Sequence, residues 1–106
     1  MTTYYQKEIK NITEQITKRY KPKKIILYGS FAYGKPHKDS DVDLFVIKET
    51  KKKRTERHLE LDKILSDRNI PLDILVYTSK EVKQKLALKD LFIKKIMDQG
   101  KVIYAR

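Results

Sequence analysis

The sequence of 106 residues contains no cysteine. The chain can therefore form neither disulfides nor thiolate metal sites, which fits a reducing compartment. Long hydrophobic runs are also absent, because the apolar runs at residues 25–28, 44–47 and 74–77 are far too short to span a bilayer. No N-terminal apolar stretch resembles a signal peptide. We therefore predict a soluble, cytoplasmic protein without a membrane partner.

Glycine and proline are scarce, with three of each, and no Pro/Gly/Ser-rich linker divides the chain. The sequence also has no internal repeat and no low-complexity tract. A chain of this length is enough for one domain, and 40% hydrophobic residues can form a thin core. We therefore predict a single domain over residues 1–106, with little room for a separate substrate-binding domain.

Acidic residues are outnumbered: 14 Asp and Glu stand against 25 Lys and Arg, which gives a formal net charge of +11. Such a field favours polyanions, namely nucleotides, RNA or an acidic protein partner. A lysine-rich surface that only keeps the protein soluble explains the charge equally well. The basic run at residues 51–54 has the same two interpretations, a solvated loop and helix start or a contact with RNA or an acidic partner.

Hydrophobic spacing predicts alternating helices and strands. Helices are predicted at residues 3–20 and 54–68, and a helical stretch from the Thr78–Glu81 capping box to Gly100. Strands are predicted at residues 24–28, 41–48, 72–76 and, as a short edge strand, 101–105. The pattern indicates an α/β or α+β fold, in which helices flank a small mixed sheet.

Gly29 and Ser30 directly follow the first predicted strand. A glycine there lets the backbone turn tightly and lets a ligand approach closely. If Ser30 opens a short helix over residues 31–33, its amide and hydroxyl can bind an anion. An ordinary turn would use the same two residues, so this pair alone does not decide between the two interpretations.

Three aspartates interrupt otherwise apolar strand patterns. Asp41 and Asp43 are two residues apart on a strand, so their side chains share one face. Their carboxylates repel unless a cation compensates them, and Mg²⁺ prefers such oxygen ligands. Asp73 lies in the third predicted strand, where a charge is costly unless it is paired or binds metal. If the second and third strands are neighbours, the three acids can form one cluster; taken singly, each can be a solvated strand-end residue.

The order Gly29-Ser30, ten residues, Asp41, one residue, Asp43 arises by chance in roughly one chain in a thousand of this length. The stretch "KIILYGSFAYGKPHKDSDVDLFV" resembles the minimal nucleotidyltransferase branch of the DNA polymerase β-like nucleotidyltransferase superfamily. "PLDILV" and the closing "IMDQGKVIYAR" are similar to later parts of the same domain, so the resemblance covers nearly the whole chain.

The resemblance implies a polymerase β-like nucleotidyltransferase fold and a role for each site residue. Gly29 and Ser30 would hold the β- and γ-phosphates of a nucleoside triphosphate, ATP being expected. Asp41 and Asp43 would bind two Mg²⁺ ions, which clamp attacking and leaving oxygens in such reactions. Asp73 would share one metal ion and accept the proton of the acceptor hydroxyl. A nucleotidyl group would then move to the acceptor, and pyrophosphate would leave.

A minimal domain of this size also resembles the antitoxin of HEPN–minimal nucleotidyltransferase pairs. That resemblance implies transfer of AMP to a tyrosine of a partner HEPN toxin. The alternative is a catalytically weak module that neutralises a partner by contact. A third hypothesis, a basic RNA-binding protein without chemistry, explains the charge but leaves the acids unexplained.

The sequence departs from this branch at Phe31 and Tyr33, where members often carry arginine at one or both positions. Catalysis could be weaker for that reason, or a nearby lysine, Lys35 or Lys38, could substitute for the arginine.

Overall fold

The computed structural model describes residues 3–36 and 40–106. In chain order, the elements are α1 (Thr3–Tyr20), β1 (Lys24–Tyr28), α2 (Ser30–Tyr33), β2 (Val42–Ile47), α3 (Arg54–Ile64), β3 (Leu72–Tyr77), α4 (Ser79–Ala87), α5 (Leu91–Gln99) and β4 (Lys101–Ala105). The predicted fold class is confirmed, because these helices flank one small mixed sheet. None of the described helices is both long and apolar enough to cross a membrane.

The four strands follow the order β3-β2-β1-β4 in the sheet. β1 pairs antiparallel with β2 and β4, whereas β2 and β3 are parallel. The end of β1 and the beginnings of β2 and β3 therefore lie at the same end of the sheet. The register places Tyr28 opposite Asp43 and Asp43 opposite Asp73, so one row across three strands contains all three residues.

Apolar side chains cover both faces of the sheet. One cluster packs α1 and α3 on Leu27 of β1 and Val42 and Leu44 of β2. The second cluster packs α4 and α5 on Phe45 of β2 and Tyr77 of β3. Because successive strand residues point to opposite faces, Asp43 and Asp73 share the α4–α5 face.

The structure corrects two helix predictions. α3 ends at Ile64 rather than residue 68, and the chain turns there so that both Leu65 and Ile70 reach buried positions. The long helical stretch is divided into α4 and α5. Lys89, with φ of 60°, adopts the left-handed conformation between them, and the Asp90 side chain caps α5 by accepting from the Ile93 amide at 3.0 Å.

A buried arginine connects the helices on the two faces. The Arg57 guanidinium donates to Glu81 Oε1 at 2.7 Å and to the Val76 carbonyl at 3.1 Å. The Arg57 side chain thereby holds the pKa of Glu81 below its usual value. Glu81 also completes the predicted capping box, since it accepts from the Thr78 amide and donates its own amide to the Thr78 hydroxyl. This ion pair links α3 and α4 around the edge strand β3.

Candidate active site

Gly29 occupies a position that no other residue could fill easily. Its φ of 75° and ψ of −156° belong to a region that is essentially restricted to glycine. A Cβ at this position would also collide with Asp43 Oδ2. Both the backbone conformation and the close approach of the Asp43 carboxylate therefore require glycine here.

Ser30 begins α2, as the sequence predicts, but this helix has only four residues. The amides of Ala32 and Tyr33 donate to the Gly29 carbonyl, and the amide of Gly34 donates to the Ser30 carbonyl at 3.2 Å. Ser30 is half-buried beside the exposed sheet edge. The role of Gly29 and Ser30 in holding phosphates stays a prediction.

Asp43 and Asp73 are direct neighbours across the parallel β2–β3 pair. Adjacent strands are about 4.8 Å apart, so the two side chains stand side by side on one face. Asp43 is half-buried, whereas Asp73 is exposed. Asp41 lies one residue before β2 rather than inside it, and it is exposed.

The electrostatics of Asp43 connect the three acids. Burial raises the pKa of the Asp43 carboxyl, and the charges of Asp73 and Asp41 raise it further. Burial also raises the pKa of Tyr28, to which the charges of Asp43 and Asp73 contribute. The strand register therefore places Asp43 and Asp73 side by side next to Tyr28, and Asp41 is near enough for its charge to act on Asp43.

The donor set of this site suits a hard divalent cation. Mg²⁺ is commonly held by one or two carboxylates and completes its shell with water and substrate phosphates. Within residues 3–36 and 40–106, no group of three or more metal-ligating side chains is arranged so that it could hold a metal ion. The carboxylates of Asp41, Asp43 and Asp73 fit the chemistry of Mg²⁺, but as placed they form no complete cage of protein ligands.

The two positions at which arginine was expected have different environments. Phe31 is buried and its ring contacts that of Tyr5, with centroids 4.9 Å apart. Tyr33 is exposed, and the Lys95 ammonium lies 4.9 Å from the centre of its ring. Lys35 is exposed, and Lys38 lies outside the described residues.

Sequence reasoning missed Tyr28, which lies beside Asp43, and Lys95, which contacts Tyr33. Tyr28 ends β1 directly before the Gly-Ser pair, which could have drawn attention to it, but its position beside Asp43 depends on the β1–β2 register. Lys95 reaches Tyr33 from α5, far away in the sequence. No local pattern could have predicted that contact.

An open polar groove of about 650 Å³ adjoins the site. Asp41 lines it together with residues of the α3–β3 connection, among them Arg68 and Asn69.

The basic run at residues 51–54 is exposed, but two of its side chains contact other residues of the protein. The Lys52 ammonium pairs with Glu60 at 3.0 Å. The Arg54 guanidinium lies 4.4 Å from the centre of the Tyr77 ring. A contact of this run with RNA stays a prediction.

Comparisons with known proteins agree with the fold. A family model described as "Polymerase beta, Nucleotidyltransferase" matches residues 8–106. A search among curated proteins gives no significant match.

Two solved structures resemble the chain over most of its length. A Sulfolobus solfataricus protein described as a nucleotidyltransferase aligns with a TM-score of 0.67 at 16% identity, over 94% of this chain and 79% of that one. A mutant of the toxin–antitoxin MntA-HpeT aligns with a TM-score of 0.62 at 20% identity, over 92% of this chain and 73% of that one. At these identities the likeness shows the fold.

Proposed function

The chain belongs to the polymerase beta nucleotidyltransferase family, and on that premise we propose that it transfers a nucleotidyl group, AMP from ATP, to an acceptor hydroxyl. The observation that carries the proposal is the row formed by Asp43 and Asp73 on neighbouring parallel strands, with Asp41 close to it. Such clustered carboxylates are costly for a fold unless a cation uses them. The half-buried Asp43 has no ion-pair partner among the described residues that would offset this cost.

We assign metal binding and phosphate binding to different residues of the site. Asp41 and Asp43 would hold Mg²⁺, with Asp73 sharing one ion. Bound there, Mg²⁺ supplies positive charge that neutralises the triphosphate and the leaving pyrophosphate. Gly29 leaves room beside Asp43, because a Cβ would occupy that space, and Gly29 and Ser30 would hold the β- and γ-phosphates.

Asp73 would act as the general base. It is exposed, so an incoming hydroxyl can reach it, and its carboxylate would take the hydroxyl proton. The acceptor oxygen then forms a bond to the α-phosphorus while the bond between that phosphorus and the bridging oxygen breaks. Pyrophosphate leaves, and the acceptor retains AMP.

The acceptor that we propose is a tyrosine of a partner HEPN toxin, which the chain would silence as an antitoxin. One of the two structural neighbours is a toxin–antitoxin, which supports this assignment. Its mutant form replaces two aspartates, two residues apart, by glutamates, and Asp41 and Asp43 have the same spacing. The +11 net charge also suits an acidic partner.

Asp73→Asn tests the proposal, because it keeps the shape of the side chain and removes the base. We expect Mg-ATP binding to persist, since Asp41 and Asp43 remain, while AMP transfer falls on the order of 10²-fold or more. Asp67→Asn is the matched control, an exposed aspartate outside the site. Mass spectrometry of a HEPN protein encoded beside this gene, co-expressed with each form, measures the transfer.

The same experiment separates the enzyme from a module that acts by contact. If the wild-type protein inhibits the partner without adding a nucleotide, and Asp73→Asn inhibits it equally well, the chain is a binding module and the proposal is wrong.

A further inference from the structure

The turn between α4 and α5 exposes a cluster of large apolar side chains. We call Leu86, Leu88, Leu91 and Phe92 the α4–α5 apolar surface. Leu88 and Leu91 are 78% and 80% exposed. These four residues, within seven positions of the chain, are half of the eight large hydrophobic residues that are exposed in the described ranges. Scattered exposed leucines are ordinary, but a cluster marks an interaction site.

The fold does not need the two most exposed of these side chains, Leu88 and Leu91, to be apolar. α4 buries Val82 and α5 buries Ile93 and Ile96 against the sheet. Leu88 and Leu91 flank the α4–α5 turn and point away from that core, as their exposure shows. A polar residue at either position would leave the core intact. Contact with another molecule therefore explains better than the fold does why these two residues are apolar.

A groove of about 580 Å³ runs beside this surface. Ala87 and Leu88 contribute apolar lining, while Arg54 and Lys85 contribute positive charge. Among the described residues, no ion pair includes Lys85 or Lys89.

The acidic side chains of α4, of α5 and of the turn between them each have a partner within the protein. Glu81 pairs with Arg57, Asp90 caps α5, and Asp98 pairs with Lys94 at 2.7 Å. The surface is therefore apolar at its centre, and beside it lie Lys85 and Lys89, which belong to no ion pair of the described residues.

We propose that the α4–α5 apolar surface and its groove dock an acidic amphipathic helix of a partner protein. Such a helix inserts apolar side chains at helical spacing into a groove, and its carboxylates can pair with Lys85, Lys89 and Arg54. A second copy of this chain fits less well, because two molecules of charge +11 repel each other. RNA fits less well too, because three of the four central side chains are leucines, which cannot stack on bases.

The docking surface adjoins the candidate active site. The Phe92 ring contacts the Tyr28 ring edge-on, with centroids 5.8 Å apart, and Tyr28 lies opposite Asp43. A protein docked here can therefore reach the face that carries Asp43 and Asp73. That the docked protein is also the acceptor rests on the proposed function, whereas docking itself does not.

A synthetic peptide tests the docking directly. The probe is a fluorescein-labelled helix of about 18 residues, or five turns, with glutamates on one face and leucines at i, i+4 and i+7 on the other. We expect the full chain to bind it, as measured by fluorescence anisotropy, and Leu88→Glu with Leu91→Glu to weaken binding at least about tenfold. Leu59→Glu is the matched control, since Leu59 is 60% exposed on α3, and it should bind as the wild type does.

A second pair of variants tests the charged rim. Lys85→Glu with Lys89→Glu should weaken peptide binding by a similar factor. A higher salt concentration should also weaken binding of the peptide to the wild type, because salt screens the charge pairs. Circular dichroism confirms that each variant is folded.

Several results would overturn the proposal. A peptide with the same composition in scrambled order could bind equally well, Leu59→Glu could weaken binding as much as the paired substitutions, or the intended peptide could fail to bind. A dimer in sedimentation that Leu88→Glu with Leu91→Glu abolishes would make the surface a self-association interface, and displacement of the peptide by oligo-RNA would make it an RNA site. The binding assay contains no nucleotide and should give the same result with Asp73→Asn, so failure of docking and failure of nucleotidyl transfer are distinguishable.

Discussion

Gly29→Ala should destabilise the protein strongly although it adds a single methyl group. Its φ of 75° and ψ of −156° cost a non-glycine residue about 1–3 kcal/mol. The added Cβ also collides with Asp43 Oδ2, and turning that side chain out of its rotamer costs a further ~0.5–1.5 kcal/mol. The free energy of unfolding should therefore fall by about 2–4 kcal/mol.

The two parts of this cost can be separated in a double-mutant cycle. Asp43→Ala removes the atom that the new Cβ would meet, so Gly29→Ala should cost less in that background, by about 0.5–1.5 kcal/mol. Gly34→Ala is the control for the backbone conformation alone, because Gly34 has an extended backbone with φ of −115°. Its added Cβ would lie 3.0 Å from Ser30 Cα, so a cost at this position is steric and not one of a left-handed conformation.

Urea unfolding followed by circular dichroism measures these differences, and a loss of 2–4 kcal/mol shifts the midpoint by roughly 1–3 M for a small domain. A midpoint for Gly29→Ala within experimental error of the wild type would refute the strain argument. An equal cost in both backgrounds would refute the contact between Gly29 and Asp43.

Three further predictions concern stability. Asp43→Asn should raise the free energy of unfolding at pH 7 without divalent ions. The pKa of Asp43 is raised from its ordinary 3.8, so the native state binds this proton more tightly than the unfolded state does. The stability of the wild type therefore falls as the pH rises from the ordinary pKa of the carboxyl through its raised pKa in the native state. The advantage of Asn should therefore vanish near pH 3 in urea titrations, and a constant advantage at every pH would contradict the electrostatic cause. Arg57→Met should cost about 2 kcal/mol, because it removes the donor to the Val76 carbonyl and the ion-pair partner of Glu81, which still accepts from the Thr78 amide. Arg68→Met, at a half-exposed ion pair, should cost under about 1 kcal/mol. Equal costs would contradict the structural role of Arg57. Lys89→Gly should raise the melting temperature, because Lys89 has φ of 60° and glycine removes the cost of about 1 kcal/mol that a left-handed conformation has for other residues. Lys83→Gly, inside α4, is the control and should lower the melting temperature, because glycine in a helix costs about 1 kcal/mol.

Much of the fold and of the candidate site could be read from the sequence because the signals are local. The apolar spacing in residues 3–20 matches α1 at both ends, since helix periodicity depends on neighbours three and four residues apart. The capping box at Thr78 and Glu81 is also local, and the structure confirms it. The candidate site residues were named from acids that interrupt apolar strand patterns, from a Gly-Ser pair that follows a strand and from motif spacing, and their roles stay predictions.

Only the tertiary structure decided which strands are neighbours. The parallel pairing of β2 with β3 places Asp73 beside Asp43, although α3 lies between them in the chain. The ion pair between Arg57 and Glu81 joins two helices on opposite faces, and the Phe92 ring reaches Tyr28 from α5. Such contacts depend on packing and register between distant segments, for which hydrophobic spacing in one segment carries no signal. The α3 end at Ile64 and the break at Lys89 have the same origin, because burial of Leu65, Ile70 and Ile93 overrides the helical propensity of the residues around them.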